Sequence, residues 1–169
     1  IGVEEKPQSK NIDGVFLKER FKGLSNDELV EMAKECESKG AFIDARNLYS
    51  FAGERLSLEG LFQAGELEKS GNLGTKDFVS AFVFSLSAAK LGYVPAMEAV
   101  ALSYFSGVGV EKNEMKSAAF ILAAYRLEPN TVKETFNNLY GRIDSKTFKA
   151  GRAHANYTLF FGNRSEEKV

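Results

Sequence analysis

Few residues in this sequence are of the types that bind metals or form disulfides. Its 169 residues include one cysteine and one histidine. A single Cys36 excludes an internal disulfide and a Cys-rich metal site, and its place on an apolar face after Leu29 and Met32 favours core filler over a reactive thiol. One histidine, His154, cannot form the usual His-rich zinc site, and no serine or cysteine has an evident base partner. We therefore expect no catalytic residue, no metal and no cofactor.

Long apolar runs are also missing. No run approaches the roughly 20 residues that a membrane-spanning helix requires, and the longest candidate, residues 78–89, contains three serines. The first residues lack the pattern of a signal peptide, and Ile1 stands in place of an initiator Met, which is consistent with a trimmed leader. The compartment stays open, with a periplasmic, cell-envelope or secreted location slightly favoured over the cytoplasm.

Neither sign of charge dominates. The formal net charge of −1 gives the chain no general attraction to nucleic acid or anionic membranes. The charges are unevenly distributed, because residues 25–70 carry ten acidic against five basic side chains, whereas residues 131–169 carry seven basic against four acidic ones. We expect another protein or a peptide segment as partner, and no nucleic acid; the oligomeric state stays open.

What the sequence does contain is an internal repeat with a period of 36 residues. Three sets of small or apolar residues recur at this offset, and their spacing within each copy places them on one face of a helix. The sets are Ala45, Ala81 and Ser117; Leu48, Phe84 and Phe120; and Ala52, Ala88 and Ala124. The small residues predict close approach of paired helices, and the aromatic residues predict filling between neighbouring pairs.

Glycines mark the predicted reversals between helices. Gly71 and Gly107 lie 36 residues apart, and Gly109 follows the second of them. Asp77 and Asn113, separated by the same offset, suit helix N-termini, where a short polar side chain accepts a hydrogen bond from a free backbone N–H. Each repeat is therefore predicted to be a helix, a glycine-rich turn and a second helix.

Residues 60–128 resemble the SEL-1-like repeat (SLR), a relative of the tetratricopeptide repeat. The third copy carries the resemblance most fully, through Ala99, Val100, Ala101, Tyr104, Gly107, Gly109, Val110, Asn113, Lys116, Ser117, Phe120 and Ala124. In the preceding copy Glu68 replaces the tyrosine. The resemblance implies an α-solenoid that displays surfaces to other proteins, commonly in bacterial envelope, secretion, motility or signalling systems, with no chemistry of its own.

The predicted fold is an all-α, right-handed α-solenoid (α/α superhelix) of about four helix-turn-helix repeats. Its predicted domains are an N-terminal arm at residues 1–24, the repeat domain at 25–161 and a C-terminal tail at 162–169. A short amphipathic piece of the arm that includes Phe21 is expected to dock onto the first repeat, which would otherwise leave an apolar face bare.

Local signals predict where individual helices begin and end. Capping boxes that start at Ser25 and Thr131 predict two helix N-termini. The second helix of the second repeat is predicted to begin at Thr75, and the last helix to end near Phe160. Pro7, Asn11, Asp13 and Gly14 are expected to break any early helix.

The same offset predicts a partner-binding surface on the first helices of the repeats, which line the concave face in related solenoids. Two sets of equivalent positions define it: Phe62, Glu98 and Glu134, and Glu66, Leu102 and Asn138. Apolar patches with acidic flanks suit a basic amphipathic helix or peptide, although the glutamates are alternatively ordinary solvated positions. We interpret the chain as a non-enzymatic, bacterial protein–protein interaction module: an adaptor, regulator or assembly subunit. The alternative is a secreted or envelope-associated inhibitor or effector that occludes an enzyme or host protein.

Four basic residues near the C-terminus follow one another at helical spacings: Arg142, Lys146, Lys149 and Arg152. They predict a basic stripe on the last helix, which would favour an acidic partner or a phosphate backbone. The simpler interpretation, which we favour, is a solvated face on a capping helix of the kind that solenoids require for solubility.

Overall fold

Nine α-helices follow one another in residues 14–158, the part of the chain that this computed structural model describes, with side chains described for residues 18–155. The helices are α1 Gly14–Phe21, α2 Asn26–Ser38, α3 Phe42–Glu54, α4 Leu58–Ser70, α5 Phe78–Lys90, α6 Val94–Ser106, α7 Glu114–Leu127, α8 Pro129–Arg142 and α9 Ser145–Thr158. No strand occurs in these residues. The first 13 residues of the predicted arm, the predicted helix end near Phe160 and the predicted tail, residues 162–169, lie outside the described part.

Consecutive helices pack against one another along the chain. α2 packs on α3, α4 on α5 and α6 on α7, while contacts of α3 with α4 and of α5 with α6 join these pairs. Each pair thus contacts mainly its neighbours, which is the packing of an α-solenoid. The all-α solenoid predicted from the sequence is the observed architecture.

The repeated small residues form the buried seams between helices. Ala45, Ala52, Ala88 and Ala124 are completely buried. The core has two clusters, one on α2 to α4 and one on α5 to α9, and Phe120 lies in the second. The equivalent aromatic residue of the second repeat, Phe84, is only partly buried and packs against the first cluster.

Glycines allow the closest helix contacts. At Gly65 on α4, an added Cβ would lie 3.0 Å from the carbonyl oxygen of Ala81 on α5. At Gly60, an added Cβ would lie 2.8 Å from the carbonyl oxygen of Tyr49 on α3. Real Cβ atoms essentially never lie as close as at Gly60, so that crossing requires glycine, whereas at Gly65 the neighbouring helix would have to shift by a few tenths of an ångström.

The predicted helix caps recur with matching geometry in two repeats. The side chains of Asp77 and Asn113 each accept a 2.9 Å hydrogen bond from the backbone N–H three residues further on. Their own backbone N–H groups donate 2.8 Å bonds to the carbonyl oxygens of Glu68 and Tyr104, respectively. Both bonds span the same number of residues, so the two turns close in the same way.

Left-handed glycines end the first helix of these two repeats. Gly71 and Gly107 are the C-caps of α4 and α6, with φ values of +86° and +72°. Gly109 also has a positive φ, +75°, and its added Cβ would lie only 2.1 Å from the carbonyl oxygen of Phe78. The turn of the third repeat therefore sits directly against the start of α5.

The predicted start of the second repeat's second helix is wrong by three residues. This helix, α5, begins at Phe78 rather than Thr75. The backbone bond from Asp77 back to α4 holds the preceding residues in a turn, and Gly74 adopts a φ of +103° within that turn. The cap, rather than the first polar residue, sets the helix start.

One of the two predicted capping boxes is present. Ser25 accepts a 3.2 Å bond from the N–H of Glu28, whose carboxylate accepts a 2.7 Å bond from the N–H of Ser25. The box predicted at Thr131 is wrong, because α8 begins two residues earlier at Pro129. The hydroxyl of Thr131 instead donates a 2.9 Å bond to the carboxylate of Glu128. Proline suits the first helical turn since it has no N–H to leave unpaired.

The N-terminal arm contains a helix. α1 begins at Gly14, the last of the four residues expected to break an early helix, and the other three lie outside the described residues. α1 packs on α3, where Lys18 forms a 2.6 Å salt bridge with Glu54. Phe21 packs against the first core cluster, as expected for the docking piece.

The last helix leaves the register of the repeat. α9 packs mainly against α7, and an added Cβ at its Gly151 would lie 2.6 Å from the Cβ of Ala118 and 2.7 Å from the carbonyl oxygen of Met115. Ala153, at the offset of Ser117 in the next copy, is exposed, whereas Ser117 is buried. α9 thus covers the second helix of the third repeat, and the fourth predicted pair is not packed as the first three are.

Candidate partner-binding grooves

A groove runs over α4, α5 and α6, and we call it the front groove. Its volume is about 380 Å³, within the range of small-ligand and side-chain pockets. It is lined by Phe62, Glu66, Lys69, Phe78, Ala81, Phe82, Ser85, Pro95, Glu98, Ala99, Leu102, Ser103, Ser106 and Val108. The residues come from the first helices of two successive repeats, from the helix between them and, for Val108, from the turn after α6.

The charged residues of the front groove are held by contacts within the protein. Glu66 forms a 2.6 Å salt bridge with Lys69, one turn further along α4. Glu98 on α6 accepts a hydrogen bond from the hydroxyl of Thr135 on α8. Two carboxylates and one ammonium group line the groove, so its net charge is negative.

Apolar side chains form the floor and the rim. Phe82 is buried, and its ring meets that of Tyr104 edge-on at a centroid distance of 5.2 Å. At the rim Phe78, Leu102 and Val108 are each 42–44% exposed. The groove therefore offers an apolar surface with half-buried carboxylates, which favours an apolar side chain from a positively charged segment.

The front groove brings together four of the six residues predicted for partner binding. Phe62 and Glu66 on α4 lie in it with Glu98 and Leu102 on α6. Glu134 and Asn138 are exposed on α8 and are not among its lining residues. Whether any of the six contacts a partner remains a prediction.

Sequence reasoning missed the contribution of α5 and of the turn. Phe78 follows the cap of α5 directly, and Val108 lies between the two glycines of the third repeat's turn. A large apolar residue at either position has little access to a core, because helix starts and turns lie at the surface. That mismatch is the signal that would have identified both residues.

A second groove lies at the C-terminal end of the solenoid, between α7, α8 and α9, and we call it the end groove. Its volume is about 470 Å³. It is lined by Leu122, Tyr125, Arg126, Phe136, Tyr140, Ile143, Ser145, Phe148, Lys149 and Arg152. It lies where α9 packs on α7 and where rings of α8 contact Phe148 of α9.

Four aromatic rings form one wall of the end groove. Tyr125 and Phe136 stack at a centroid distance of 4.2 Å, and Phe136 meets Phe148 edge-on at 5.9 Å. Tyr140 meets Phe148 edge-on at 4.9 Å and is 62% exposed. A sequence signal for this wall was available, because Phe136 and Tyr140 lie four residues apart on one face of α8.

The predicted basic stripe is divided between two places. Lys149 and Arg152 line the end groove, whereas Lys146 is exposed outside it. Arg142 belongs to α8 rather than to the last helix, and its guanidinium lies 4.5 Å from the ring centroid of Phe105. The stripe on the last helix therefore has three members, two of which face a groove.

Cys36 lies outside both grooves and packs against the first core cluster. Burial raises the pKa of the Cys36 thiol above its ordinary value, with a smaller contribution from the Asp44 carboxylate.

Within residues 14–158, no group of three or more His, Cys, Asp and Glu side chains is arranged to hold a metal ion. In the same part of the chain, every helix is too short or too polar to cross a membrane.

Comparison of the sequence with models of protein families gives no match. No curated protein matches it either. Among solved structures, it is similar to a protective antigen present in uropathogenic Escherichia coli strains that displays an SLR fold. The TM-score is 0.73 at 16% sequence identity, over 85% of this chain. This chain has the SEL-1-like repeat fold. It spans about a third of the other protein, since the match covers 32% of that chain.

The two grooves occupy different places relative to the repeats. The front groove lies across the second and third repeats, whose turns close with equivalent hydrogen bonds. The end groove lies where the repeat register stops and α9 covers the last full repeat. The resemblance based on Tyr104, Gly107 and Phe120 is therefore confirmed at the level of the fold.

Proposed function

We propose that this chain is a non-enzymatic protein–protein interaction module that holds a basic amphipathic segment of its partner in the front groove. One observation carries the proposal: four of the six apolar and polar residues predicted from a 36-residue offset line a single groove. Phe62 and Leu102 provide apolar contact area, and Glu66 and Glu98 provide negative charge. A bacterial adaptor, regulator or assembly subunit is the role that best fits this arrangement.

The depth of the front groove favours an anchoring side chain. Ala81 and Ser85 are buried beneath the groove, while Leu102 and Val108 rise at its rim. An apolar partner side chain that covers this rim would remove apolar area from water on both molecules, at about 25 cal/mol per Å². The carboxylates then select the charge of the flanking residues, which determines specificity and association rate more than affinity.

Site-specific photo-cross-linking tests the proposal. A photoreactive benzoylphenylalanine in place of Leu102 should cross-link one dominant partner in cells that produce the protein. The same residue in place of Val83, which is 56% exposed on α5 and not part of the groove lining, is the matched control. Mass spectrometry identifies the partner and the cross-linked segment, which should contain lysine or arginine beside an apolar residue.

Charge reversal then distinguishes the groove from the rest of the surface. The Glu66→Lys/Glu98→Lys variant should lose the cross-link, whereas Glu134→Lys should retain it, because Glu134 lies outside the groove. Circular dichroism and thermal unfolding establish that both variants are folded. Equal cross-linking from positions 102 and 83, or a cross-link that survives the double reversal, would contradict the proposed site.

A further inference from the structure

The end groove differs from the front groove in its charge. Three of its lining residues, Arg126, Lys149 and Arg152, are cationic, and none is acidic. Lys149 and Arg152 are exposed and form no salt bridge with another residue in the described part of the chain. Lys149 and Arg152 therefore present positive charge beside an apolar wall.

The floor of the end groove is formed by apolar side chains that pack in the core. Ile143 and Phe148 are 4% and 7% exposed, and Leu122 and Tyr125 pack beside them in the second core cluster. A volume of about 470 Å³ has room for a large side chain. An apolar group that enters the groove would contact aromatic side chains on one side. Lys149 and Arg152 would remain at the entrance.

We propose that the end groove is a second interaction site, which binds an acidic peptide segment that packs one large apolar side chain against the wall formed by Phe148 and Tyr140. The carboxylates of the segment pair with Lys149 and Arg152 at the entrance. Arginine forms bidentate hydrogen bonds with carboxylates, and lysine adds a point charge. The site is independent of the front groove, whose charge selects the opposite kind of partner.

The arrangement of the rings favours a peptide over a nucleic acid. Both Tyr125 and Tyr140 stack on Phe136, at centroid distances of 4.2 and 5.9 Å. Binding of single-stranded nucleic acid uses free ring faces on which successive bases stack, together with a track of cations for the phosphates. Of these rings only that of Tyr140 is largely exposed, at 62%. One exposed ring and a few cations suit a short acidic segment instead.

Peptide selection tests the charge specificity. A phage-displayed library of short random peptides is selected on the full chain and, in parallel, on the Lys149→Glu/Arg152→Glu variant. Peptides enriched on the unchanged chain should combine Asp or Glu with one Trp, Phe or Leu. Selection on the variant should lose this acidic bias. If the enriched peptides lack it on the unchanged chain, or keep it on the variant, the proposal is wrong.

Affinity measurements locate the site. The chain contains no tryptophan, so a synthetic selected peptide with one Trp is excited selectively and reports binding directly. Reversal of the charges of Lys149 and Arg152 should weaken binding by about tenfold or more. Lys133→Glu/Lys146→Glu, the same charge change at exposed positions outside the groove, should leave the affinity unchanged. Tyr140→Ala, a truncation of an exposed ring, should weaken binding while retaining the fold.

Other occupants would give different results in the same assay. Displacement of the peptide by a single-stranded oligothymidine, at lower concentration than the unlabelled peptide itself, would assign the groove to nucleic acid. Displacement by a synthetic peptide of residues 159–169 would assign it to the chain's own C-terminal segment. Either result overturns the proposal. Binding that is unaffected by the front-groove variant Glu66→Lys/Glu98→Lys would show that the two grooves act separately, as expected here.

Discussion

The hydroxyl of Ser117 donates a 2.7 Å hydrogen bond to the carbonyl oxygen of Ala101, and both residues are completely buried. This bond joins α7 to α6 within the third repeat. The equivalent positions of the first two repeats hold Ala45 and Ala81, which have no hydroxyl to donate. The third repeat thus has a polar link between its two helices at a position where the other repeats rely on packing alone.

Removal of this hydroxyl should cost a measurable amount of stability. We expect Ser117→Ala to lower the free energy of unfolding by about 1 kcal/mol, the net contribution of a typical hydrogen bond. Ser87→Ala is the control, because that exposed hydroxyl bonds only to a carbonyl of its own helix. Urea denaturation measures both variants. Equal losses of stability in Ser117→Ala and Ser87→Ala would show that the bond between the helices contributes no more than a bond within one helix.

The turn of the third repeat should tolerate no side chain at Gly109. Gly109→Ala places a methyl group against the carbonyl of Phe78 and also requires a left-handed alanine. Gly92→Ala requires the same left-handed backbone, with a φ of +88°, but has no atom within 4 Å of the added Cβ. We expect about 1 kcal/mol of destabilisation for Gly92→Ala and at least about 3 kcal/mol for Gly109→Ala. Thermal unfolding measures both variants. Similar shifts of the unfolding midpoint in Gly92→Ala and Gly109→Ala would rule out the clash at Gly109.

Truncation of the aromatic residues at equivalent positions of two repeats should lower stability by different amounts. Phe120 is 9% exposed and stacks near Tyr104 at 6.0 Å, whereas Phe84 is only partly buried. Phe120→Ala should lower the free energy of unfolding by about 3–5 kcal/mol, as for a large core truncation. Phe84→Ala should lower it by less. A loss below about 1 kcal/mol at Phe120 would place its ring outside the core.

Asp77 should make stability depend on acid pH. Hydrogen bonds from the backbone and side chain of Ser80 lower the pKa of this carboxyl below its ordinary value of 3.8. A lowered folded-state pKa stabilises the fold above the ordinary value, and this contribution is lost as the pH falls through the folded-state value. Asp77→Asn keeps a capping side chain without a titration and should lose less stability on acidification. Urea midpoints at neutral and acidic pH provide the measurement.

The equivalent cap of the next repeat gives the reciprocal test. Asn113→Asp introduces a titrating carboxyl at a position that has the same geometry as Asp77. Its stability should become more dependent on acid pH than that of the unchanged chain. An Asn113→Asp variant with the original acid dependence would mean that capping geometry does not set the carboxyl pKa.

Cys36 should react slowly in the folded protein. Burial raises its pKa above the ordinary value of 9.0, so the thiol stays protonated at neutral pH. Because the thiolate is the nucleophile, iodoacetamide should modify folded Cys36 more slowly than the same residue in urea. Mass spectrometry follows the reaction. Modification at the same rate in both states would contradict the interpretation of this residue as part of the core.

Local sequence signals predicted most of the solenoid. The period of 36 residues and the caps at Asp77 and Asn113 could be found because each depends on residues within one helix or one turn. The errors also have local causes. The start of α8 was misplaced because Thr131 has a capping-box spacing to Glu134, while Pro129 already begins the helix. Two valid start signals competed, and the sequence contained no measure of which was stronger.

The candidate site was only partly predictable. Positions 62, 66, 98 and 102 were found because an offset of one repeat places residues on the same side of a solenoid. Phe78 and Val108 were missed because the groove brings them together with residues of α4 and α6, and contacts between helices are not visible in the pattern of one helix. The hydrogen bond of Glu98 with Thr135, 37 residues away, could not be read from either helix alone.

The sequence by itself determined the helices, the repeat period and the turns, because hydrogen bonds between near neighbours and the period of apolar residues are local properties. Only the tertiary structure decided where the regular stack ends. Gly151 allows α9 to approach Ala118 on α7, and this contact between distant residues opens the end groove beside Tyr140. Close packing depends on the shapes of both surfaces at once, and the sequence pattern of one helix describes only its own surface.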